Sequence, residues 1–172
     1  MPDFVARPDN SDERPRFDRL IEPLLGEAFA LALALSADRG SAQDAVQNAA
    51  FKAWQRIRQL RDESSARSWF LTIVVHECRS TWRKRKASPT DVDGSSDPIN
   101  WPLGVDQRLD VRSAMQLLKR DDRVVLSLRF LMDMSVEEAA AVLGISVSAV
   151  KARTARAATR FRELLGQQDG QE

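Results

Sequence analysis

The sequence predicts an all-α protein made of two small helical domains and a flexible linker, and three observations support this fold class. The composition, with 30% charged residues, seven Gly and no Tyr, is typical of a helical protein. Apolar residues recur at helical spacings of three and four on both sides of residues 87–106. That middle stretch holds three Pro, two Gly and four Asp without a helical period, which indicates a linker.

A chain of 172 residues is long enough for one domain or two small ones, and 43% hydrophobic content is enough for packed cores. We expect a loose leader over residues 1–15, a first domain over 16–86, an acidic linker over 87–106, a second domain over 107–166 and a fraying tail over 167–172. Between residues 56 and 86 there are nine Lys/Arg and three acidic residues. Basic blocks separated by an acidic spacer suggest two DNA-facing modules.

The first domain is expected to hold three helices, over residues 17–37, 42–60 and 66–86. Pro23 should bend the first helix or delay its start, because proline lacks a backbone N–H and clashes with the preceding turn. Ser41 can cap the second helix. The third helix ends in four consecutive basic residues, 83–86.

The basic end of this third helix has two interpretations. Cations near a helix C-terminus interact favourably with the helix dipole, and that alone explains them. Trp69 and Trp82 lie along the same helix. The combination therefore also fits binding of separated DNA strands, in which rings stack on bases while cations hold phosphates.

The second domain begins with two helices, which we expect over residues 107–119 and 122–132. Ser135 and Glu138 then form a capping box that starts a short helix. Gly144 ends that helix, because glycine takes the left-handed conformation cheaply, and Ser146 can cap the next one. A short helix, a turn with glycine and a longer basic helix together are the signature of a helix-turn-helix.

The longer helix carries five Lys/Arg and one acidic residue, Glu163, between residues 147 and 166. This excess of cations favours contact with DNA phosphates. A hairpin in an ordinary helical bundle also has a glycine turn and a solvated basic face. The small side chains of Ala139 and Ala140 favour the close helix crossing of a helix-turn-helix.

Composition excludes several kinds of site. Cys78 is the only cysteine and His76 the only histidine, so neither an intramolecular disulfide nor a Cys/His zinc site can form within the chain. The N-terminus lacks the features of a signal peptide. The apolar run over residues 28–37 has ten residues and the longest uncharged run, residues 139–150, has twelve, so both are too short to span a bilayer. We expect a soluble, cytoplasmic protein without membrane insertion, metal or cofactor.

The two helical units resemble a known family in their order and spacing. The segments AQDAVQNAAFKAW and SARSWFLTIVVHECRSTWRKRK are similar to the second conserved region of bacterial sigma factors of the extracytoplasmic-function (ECF) group. The segment RVVLSLRFLMDMSVEEAAAVLGISVSAVKARTARAATRFRELL is similar to the fourth conserved region. The resemblance implies a subunit that binds core RNA polymerase and directs initiation at specific promoters, with no catalysis by this chain.

The resemblance also implies roles for individual residues. The first unit would bind the β′ coiled coil of the polymerase through Asp44, Gln47, Asn48 and Trp54. It would melt and read the promoter element near minus ten through Arg58, Arg61, Ser65, Arg67, Trp69, His76, Arg79, Arg83, Lys84 and Arg85. Within it, the loop over residues 58–68 would capture a flipped base.

The second unit would contact the β flap and read the element near minus thirty-five through Ser146, Ser148, Lys151, Ala152, Arg153, Arg156 and Arg160. Residues at the start of its longer helix would reach base edges, whereas Arg156 and Arg160 would hold the DNA backbone. The resemblance also allows for an anti-sigma factor as a further partner.

Two other functions are open at this point. A helix-turn-helix regulator that acts as a dimer without polymerase would need a dimer surface and a palindromic site. A small enzyme would have to use His76, Glu77 and Cys78. Consecutive residues on a helix point about 100° apart, so these three cannot converge on one substrate atom. No Gly-rich phosphate loop or spaced carboxylate pair supports an enzyme either.

Overall fold

The computed structural model describes residues 13–36, 38–87 and 105–168, and the chain is helical in these ranges apart from short connections. Its α-helices are α1 (Glu13–Leu20), α2 (Leu25–Ser36), α3 (Arg39–Arg56), α4 (Ala66–Ala87), α5 (Val105–Leu117), α6 (Arg120–Leu126), α7 (Val136–Leu143) and α8 (Val147–Gln168). We call α1–α4 the first unit and α5–α8 the second unit. The predicted all-α class is confirmed. Most of the predicted leader and linker lies outside the described residues.

The helix predicted over residues 17–37 is broken in two. α1 begins at Glu13, inside the predicted leader, and a 3-10 turn over Glu22–Leu24 separates it from α2. Pro23 lies in that turn, where its missing N–H removes no helical hydrogen bond. Ile21, at the break, is fully buried. The break therefore directs an apolar side chain into the core.

α3 begins earlier than predicted, because Asp38 and not Ser41 is its N-cap. The Asp38 carboxylate accepts a hydrogen bond from the Ser41 backbone N–H at 2.7 Å. α3 packs against both α2 and α4. Its buried face consists mainly of small side chains, which allow close helix approach: Ala42, Ala45, Ala49 and Ala53.

The helix-turn-helix has the predicted local structure. Ser135 Oγ accepts a hydrogen bond from the Glu138 N–H at 3.0 Å, and the Glu138 carboxylate accepts from the Ser135 N–H at 2.7 Å. Gly144 ends α7 with a φ of 65°. Ser146 Oγ accepts a backbone hydrogen bond at 3.1 Å at the start of α8. Capping and turn chemistry thus fix both helix ends of the motif.

The helix predicted over residues 122–132 changes its hydrogen-bonding pattern near its end. α6 gives way to a π-helical turn over Ser127–Leu131. The Met132 backbone N–H donates to the Ser127 carbonyl at 2.9 Å, which spans five residues in place of the usual four. Phe130, in this turn, is 66% exposed.

The two units pack against each other over one continuous apolar core. α4 contacts α7, and α2 contacts α6 and the π-helical turn. Arg67 of α4 binds Glu27 of α2 at 2.9 Å and also donates to the Met132 carbonyl at 2.5 Å. Arg79 of α4 pairs with Asp121 of α6 at 3.1 Å. Polar contacts therefore surround the apolar contact between the units.

One buried guanidinium joins three helices at this contact. Arg123 of α6 is 7% exposed, and its five N–H donors have five oxygen acceptors. The Met115, Gln116 and Leu118 carbonyls at the end of α5 accept at 2.8, 2.6 and 3.3 Å. The Leu35 carbonyl in the last turn of α2 accepts at 3.1 Å, and the Gln116 side chain supplies the fifth oxygen. Burial lowers the pKa of Arg123 to about 10, so the group is charged at neutral pH.

Replacing Arg123 with Met should lower the free energy of unfolding by about 2–4 kcal/mol, because several buried carbonyls lose their donors. The free energy of unfolding of Arg123→Lys should fall between those of the wild type and the Met variant, since an ammonium has three donors in place of five. Urea denaturation followed by circular dichroism measures both effects. Arg156→Met, at an exposed position, serves as control. A Met variant within about 0.5 kcal/mol of the wild type would contradict this role.

Gly144→Val should lower the free energy of unfolding by about 1–2 kcal/mol, because a side chain at positive φ is strained. A Cβ at this position would meet no atom within 4 Å, so the loss is expected from backbone strain and not from a clash at Cβ. Gly144→Asn should cost less, since Asn tolerates the left-handed region. Thermal denaturation of both variants tests the prediction, and equal losses for Val and Asn would contradict it.

Candidate nucleic-acid interface

The buried stripe of α8 orients the helix so that its predicted DNA contacts lie outside. Val150, Ala157 and Leu164 are buried in the second unit. The predicted contacts are all exposed or half-buried: Ser146, Ser148, Lys151, Ala152, Arg153, Arg156 and Arg160. They form a polar, cationic surface along α8, which is complementary to a DNA backbone.

Hydroxyl groups order the first turn of α8. Ser146 caps the helix, and its Oγ lies 3.1 Å from Ser148 Oγ. Ser148 is exposed at the helix start, the position from which recognition-helix side chains reach bases. Further along, Arg160 pairs with Glu163 at 3.3 Å. An exposed pair of this kind contributes little, so it leaves Arg160 able to bind phosphate.

The basic end of α4 is exposed, but the aromatic ring next to it is not. Arg83 and Lys84 are exposed, and the Arg85 side chain lies outside what the structure describes. Trp82 is 9% exposed, and the Arg120 guanidinium lies 5.4 Å from the centroid of its ring. The expectation that bases stack on Trp82 is therefore wrong for this arrangement of the units.

The connection between α3 and α4, where base capture was predicted, is held by α1. It contains two 3-10 turns, Ile57–Gln59 and Glu63–Ser65. Arg16 of α1 donates to backbone carbonyls of this connection at 2.5 and 3.2 Å. Arg19 pairs with Glu63 at 2.9 Å. The connection is therefore a braced surface loop.

Three predicted DNA contacts in this connection differ in their surroundings. Arg61 is exposed. Arg58 is bound by Glu13 of α1. Ser65 Oγ donates to the Asp62 carbonyl at 2.7 Å and so stabilises the turn before α4. Of these three side chains, Arg61 is the one most open to DNA.

Four predicted DNA contacts on α4 differ in their burial and in the groups that they bind. Arg67 and Arg79 are engaged between the units, and the hydrogen bond to Glu27 raises the pKa of Arg67. Trp69 is half-buried and packs against the core. His76 is exposed. The sequence could not show that arginines on a basic helix bind the other half of the same chain.

The outer face of α3 combines polar side chains with one large apolar one. Asp44, Gln47 and Asn48 are exposed, as expected for a docking surface. Phe51 is 62% exposed and shares their face, since residues at i, i+3, i+4 and i+7 align on a helix. The sequence did not lead us to predict Phe51 as a contact, although its spacing from Asp44, Gln47 and Asn48 places it on the same helix face.

The two flanks of this outer face contact neighbouring helices. Trp54, a predicted polymerase contact, is half-buried and meets the ring of Phe17 edge to face, with centroids 5.4 Å apart. Lys52 Nζ lies 2.5 Å from the Glu77 carboxylate of α4. Trp54 therefore braces α1 against α3, its role as a polymerase contact stays a prediction, and Phe51 adds a second aromatic residue to the outer face.

Cationic side chains from both units line one cleft. Its volume is about 1070 Å³. α4 contributes Arg79 and Arg83, whereas α8 contributes Arg153, Arg156 and Arg160. The predicted DNA-facing sides of the two units therefore face each other in this structure.

The residues of the enzyme alternative do not form a catalytic group. Cys78 is fully buried, and burial raises the pKa of its thiol to about 11. His76 is exposed, and Glu77 is paired with Lys52. Within the described ranges, no three His, Cys, Asp or Glu side chains converge as metal ligands would. None of the described helices is long and apolar enough to cross a membrane.

Comparison with known proteins matches both units. Residues 20–88 match the family model described as Sigma-70 region 2, and residues 108–161 match that of Sigma-70, region 4. The chain is 34% identical over 142 residues to the ECF RNA polymerase sigma factor EcfG of Rhodopseudomonas palustris, covering 80% of this chain and 77% of that protein. It is 29% identical over 155 residues to the ECF RNA polymerase sigma factor SigM of Mycobacterium tuberculosis, covering 90% and 79%.

Solved structures show the same architecture. The sigma factor RpoE of Bartonella quintana, in complex with the anti-sigma factor NepR, matches with a TM-score of 0.74 and 30% identity, over 87% of this chain and 96% of that chain. CnrH, in complex with the cytosolic domain of CnrY, matches with a TM-score of 0.68 and 28% identity over 92% of each chain. The helix-turn-helix, the order of the two units and these similarities agree. The chain belongs to the ECF RNA polymerase sigma factors, transcription initiation factors that bind core RNA polymerase and promoter DNA.

Proposed function

We propose that this sigma factor reads two promoter elements, the one near minus thirty-five with the second unit and the one near minus ten with the first. The observation that carries the proposal is the exposed cationic face of α8 in a capped helix-turn-helix. Such a helix fits the major groove, where base edges present a distinct pattern of donors and acceptors. We take residues 13–87 and 105–168 as the two functional domains.

In the second unit, contacts divide along α8. Ser148, Lys151, Ala152 and the half-buried Arg153 lie near the helix start and would face base edges. Arg156, one to two turns later, would hold the phosphate backbone, as would Arg160 in the following turn. Ser146 contributes through its cap, which fixes the angle at which the helix begins.

In the first unit, exposed cations would hold the opened strand. Arg61, His76, Arg83 and Lys84 are exposed in the present arrangement, and Arg85 follows them along the chain. The remaining predicted contacts would complete this surface. Arg67 and Arg79 become available once the second unit moves away, and Arg58, Ser65 and Trp69 would contribute from within the first unit. Binding energy then opens the duplex, because unstacked bases exchange base stacking for contacts with protein.

Docking onto core polymerase would use the outer face of α3. Asp44, Gln47 and Asn48 provide polar contacts, and Phe51 provides a large exposed ring. Aromatic residues at the centre of an interface commonly carry much of its binding energy. The β′ coiled coil is the proposed partner of this face.

The second unit offers an apolar groove for the β flap. Its lining includes Val111, Met115, Leu126, Phe130 and Phe161, and its volume is about 360 Å³. Helices of partner proteins dock in such grooves through their apolar faces. An anti-sigma factor is a further proposed partner, since the solved relative from Bartonella quintana is a complex with one. The proposed polymerase-bound function implies a location in the cytoplasm. Family membership favours this function over that of a free dimeric regulator.

Lys151→Ala and Arg156→Ala should both weaken promoter binding, and Arg156→Ala, which removes a proposed phosphate contact, should also reduce the slope of log K against log salt by about one. Fluorescence anisotropy with holoenzyme and labelled promoter DNA, at several salt concentrations, measures both quantities. Arg14→Ala, an exposed arginine of α1 outside the proposed DNA and polymerase contacts, is the charge-matched control. An unchanged salt slope in Arg156→Ala would contradict the proposed backbone contact.

Phe51→Ala, and separately the pair Asp44→Ala with Gln47→Ala, should each weaken association with core polymerase by about tenfold or more, because they remove the centre of the docking face. The control is Arg56→Ala, which is exposed on a different face of α3. Titration of labelled protein with core polymerase gives the affinities. Circular dichroism checks folding. Wild-type affinity in both docking variants would remove α3 as the docking helix.

A further inference from the structure

The cleft between the units has an unbalanced charge. Its lining combines seven cationic side chains, Arg79, Arg83, Lys119, Arg120, Arg153, Arg156 and Arg160, with two acidic ones, Asp121 and Asp122. The pair between Arg79 and Asp121 neutralises part of this charge. The walls are protein on both sides, which strengthens the positive potential between them.

This excess of charge arises from the contact between the units. α4 supplies Arg83 and α8 supplies Arg156, and in the packed arrangement both lie in the same cleft. Like charges gathered in one cleft repel each other. An anion that spans the cleft would relieve that repulsion and contact both units at once.

We propose that this cleft binds a short oligophosphate chain, with cations of α4 on one side and cations of α8 on the other. Guanidinium groups bind phosphate oxygens in a bidentate manner, and six of the seven cleft cations are arginines, five of them from α4 and α8. An oligophosphate offers repeated charge in a small volume, which suits a cleft of about 1070 Å³.

The geometry disfavours larger or aromatic ligands. A DNA duplex must receive α8 into its major groove, and α4 lies across the cleft from α8 in this arrangement. A nucleobase would need an open ring for stacking, but Trp82 is 9% exposed and its ring is covered by Arg120. The phosphate chain itself, free or as part of a nucleotide, is therefore the recognised group.

Such a ligand would act on promoter recognition by linkage. It binds only where both units meet, so it favours the packed arrangement. It also occupies Arg153, Arg156 and Arg160, which the proposed function assigns to DNA. Promoter DNA and the oligophosphate should therefore weaken each other's binding by the same factor.

Calorimetric titration of the full chain with tripolyphosphate at constant ionic strength tests this site. We expect one tripolyphosphate per chain. Arg83→Gln in the first unit and Arg156→Gln in the second should each weaken binding by about tenfold, through loss of a charged hydrogen-bonding group. Lys84→Gln and Arg162→Gln remove the same charge from neighbouring exposed positions outside the cleft lining and should stay within about twofold.

Further titrations separate the sources of the ligand and the competing explanations. Tighter binding of ATP than of tripolyphosphate would identify the ligand as a nucleotide. Weaker binding of ATP would identify it as a free oligophosphate. A loss confined to Arg156→Gln would overturn the proposal, because α8 alone would then form the site. Equal losses in all four variants, or tighter binding of an oligoglutamate peptide of equal charge, would overturn it as well. Promoter binding by wild-type holoenzyme without added phosphate is measured separately and tests the proposed function independently of this result.

Discussion

The guanidinium of Arg123 is the contact on which the arrangement of the two units depends. Burying a charge is unfavourable unless its hydrogen bonds are replaced, and here five oxygen atoms replace them. Four are backbone carbonyls near the ends of α5 and α2, where helix dipoles place negative charge. One side chain of α6 therefore fixes the second unit internally and joins it to the first through Leu35.

The packed arrangement gives several side chains two roles. Arg67 and Arg79 lie on the helix proposed to contact promoter DNA, yet their guanidinium groups are engaged by the second unit. α8 carries the proposed base-reading surface and faces the cleft shared with α4. Reading both promoter elements under the proposed function therefore requires the units to separate. The energy of polymerase and DNA binding has to exceed that of the contacts between the units.

Much of the local structure could be predicted from short stretches of sequence. The capping box at Ser135 and the left-handed Gly144 depend on neighbouring residues alone, so the helix-turn-helix was predictable in detail. Pro23 signalled a disturbance but not its form, because a bend and a break are alternatives that packing decides. The N-cap at Asp38 was missed, since Ser41 is an equally good cap by residue type and the backbone chooses between them.

Sequence alone determined the helical class, the order of the units, the turn chemistry and the cationic face of α8, because each follows from the order and spacing of residues along the chain. Tertiary structure decided which of the outward-facing side chains are open to a partner. It buried Trp82 under Arg120, placed Trp54 against Phe17 and left Phe51 exposed. The physical reason is that periodicity defines a helix face, whereas the neighbour that covers the face comes from a distant part of the chain.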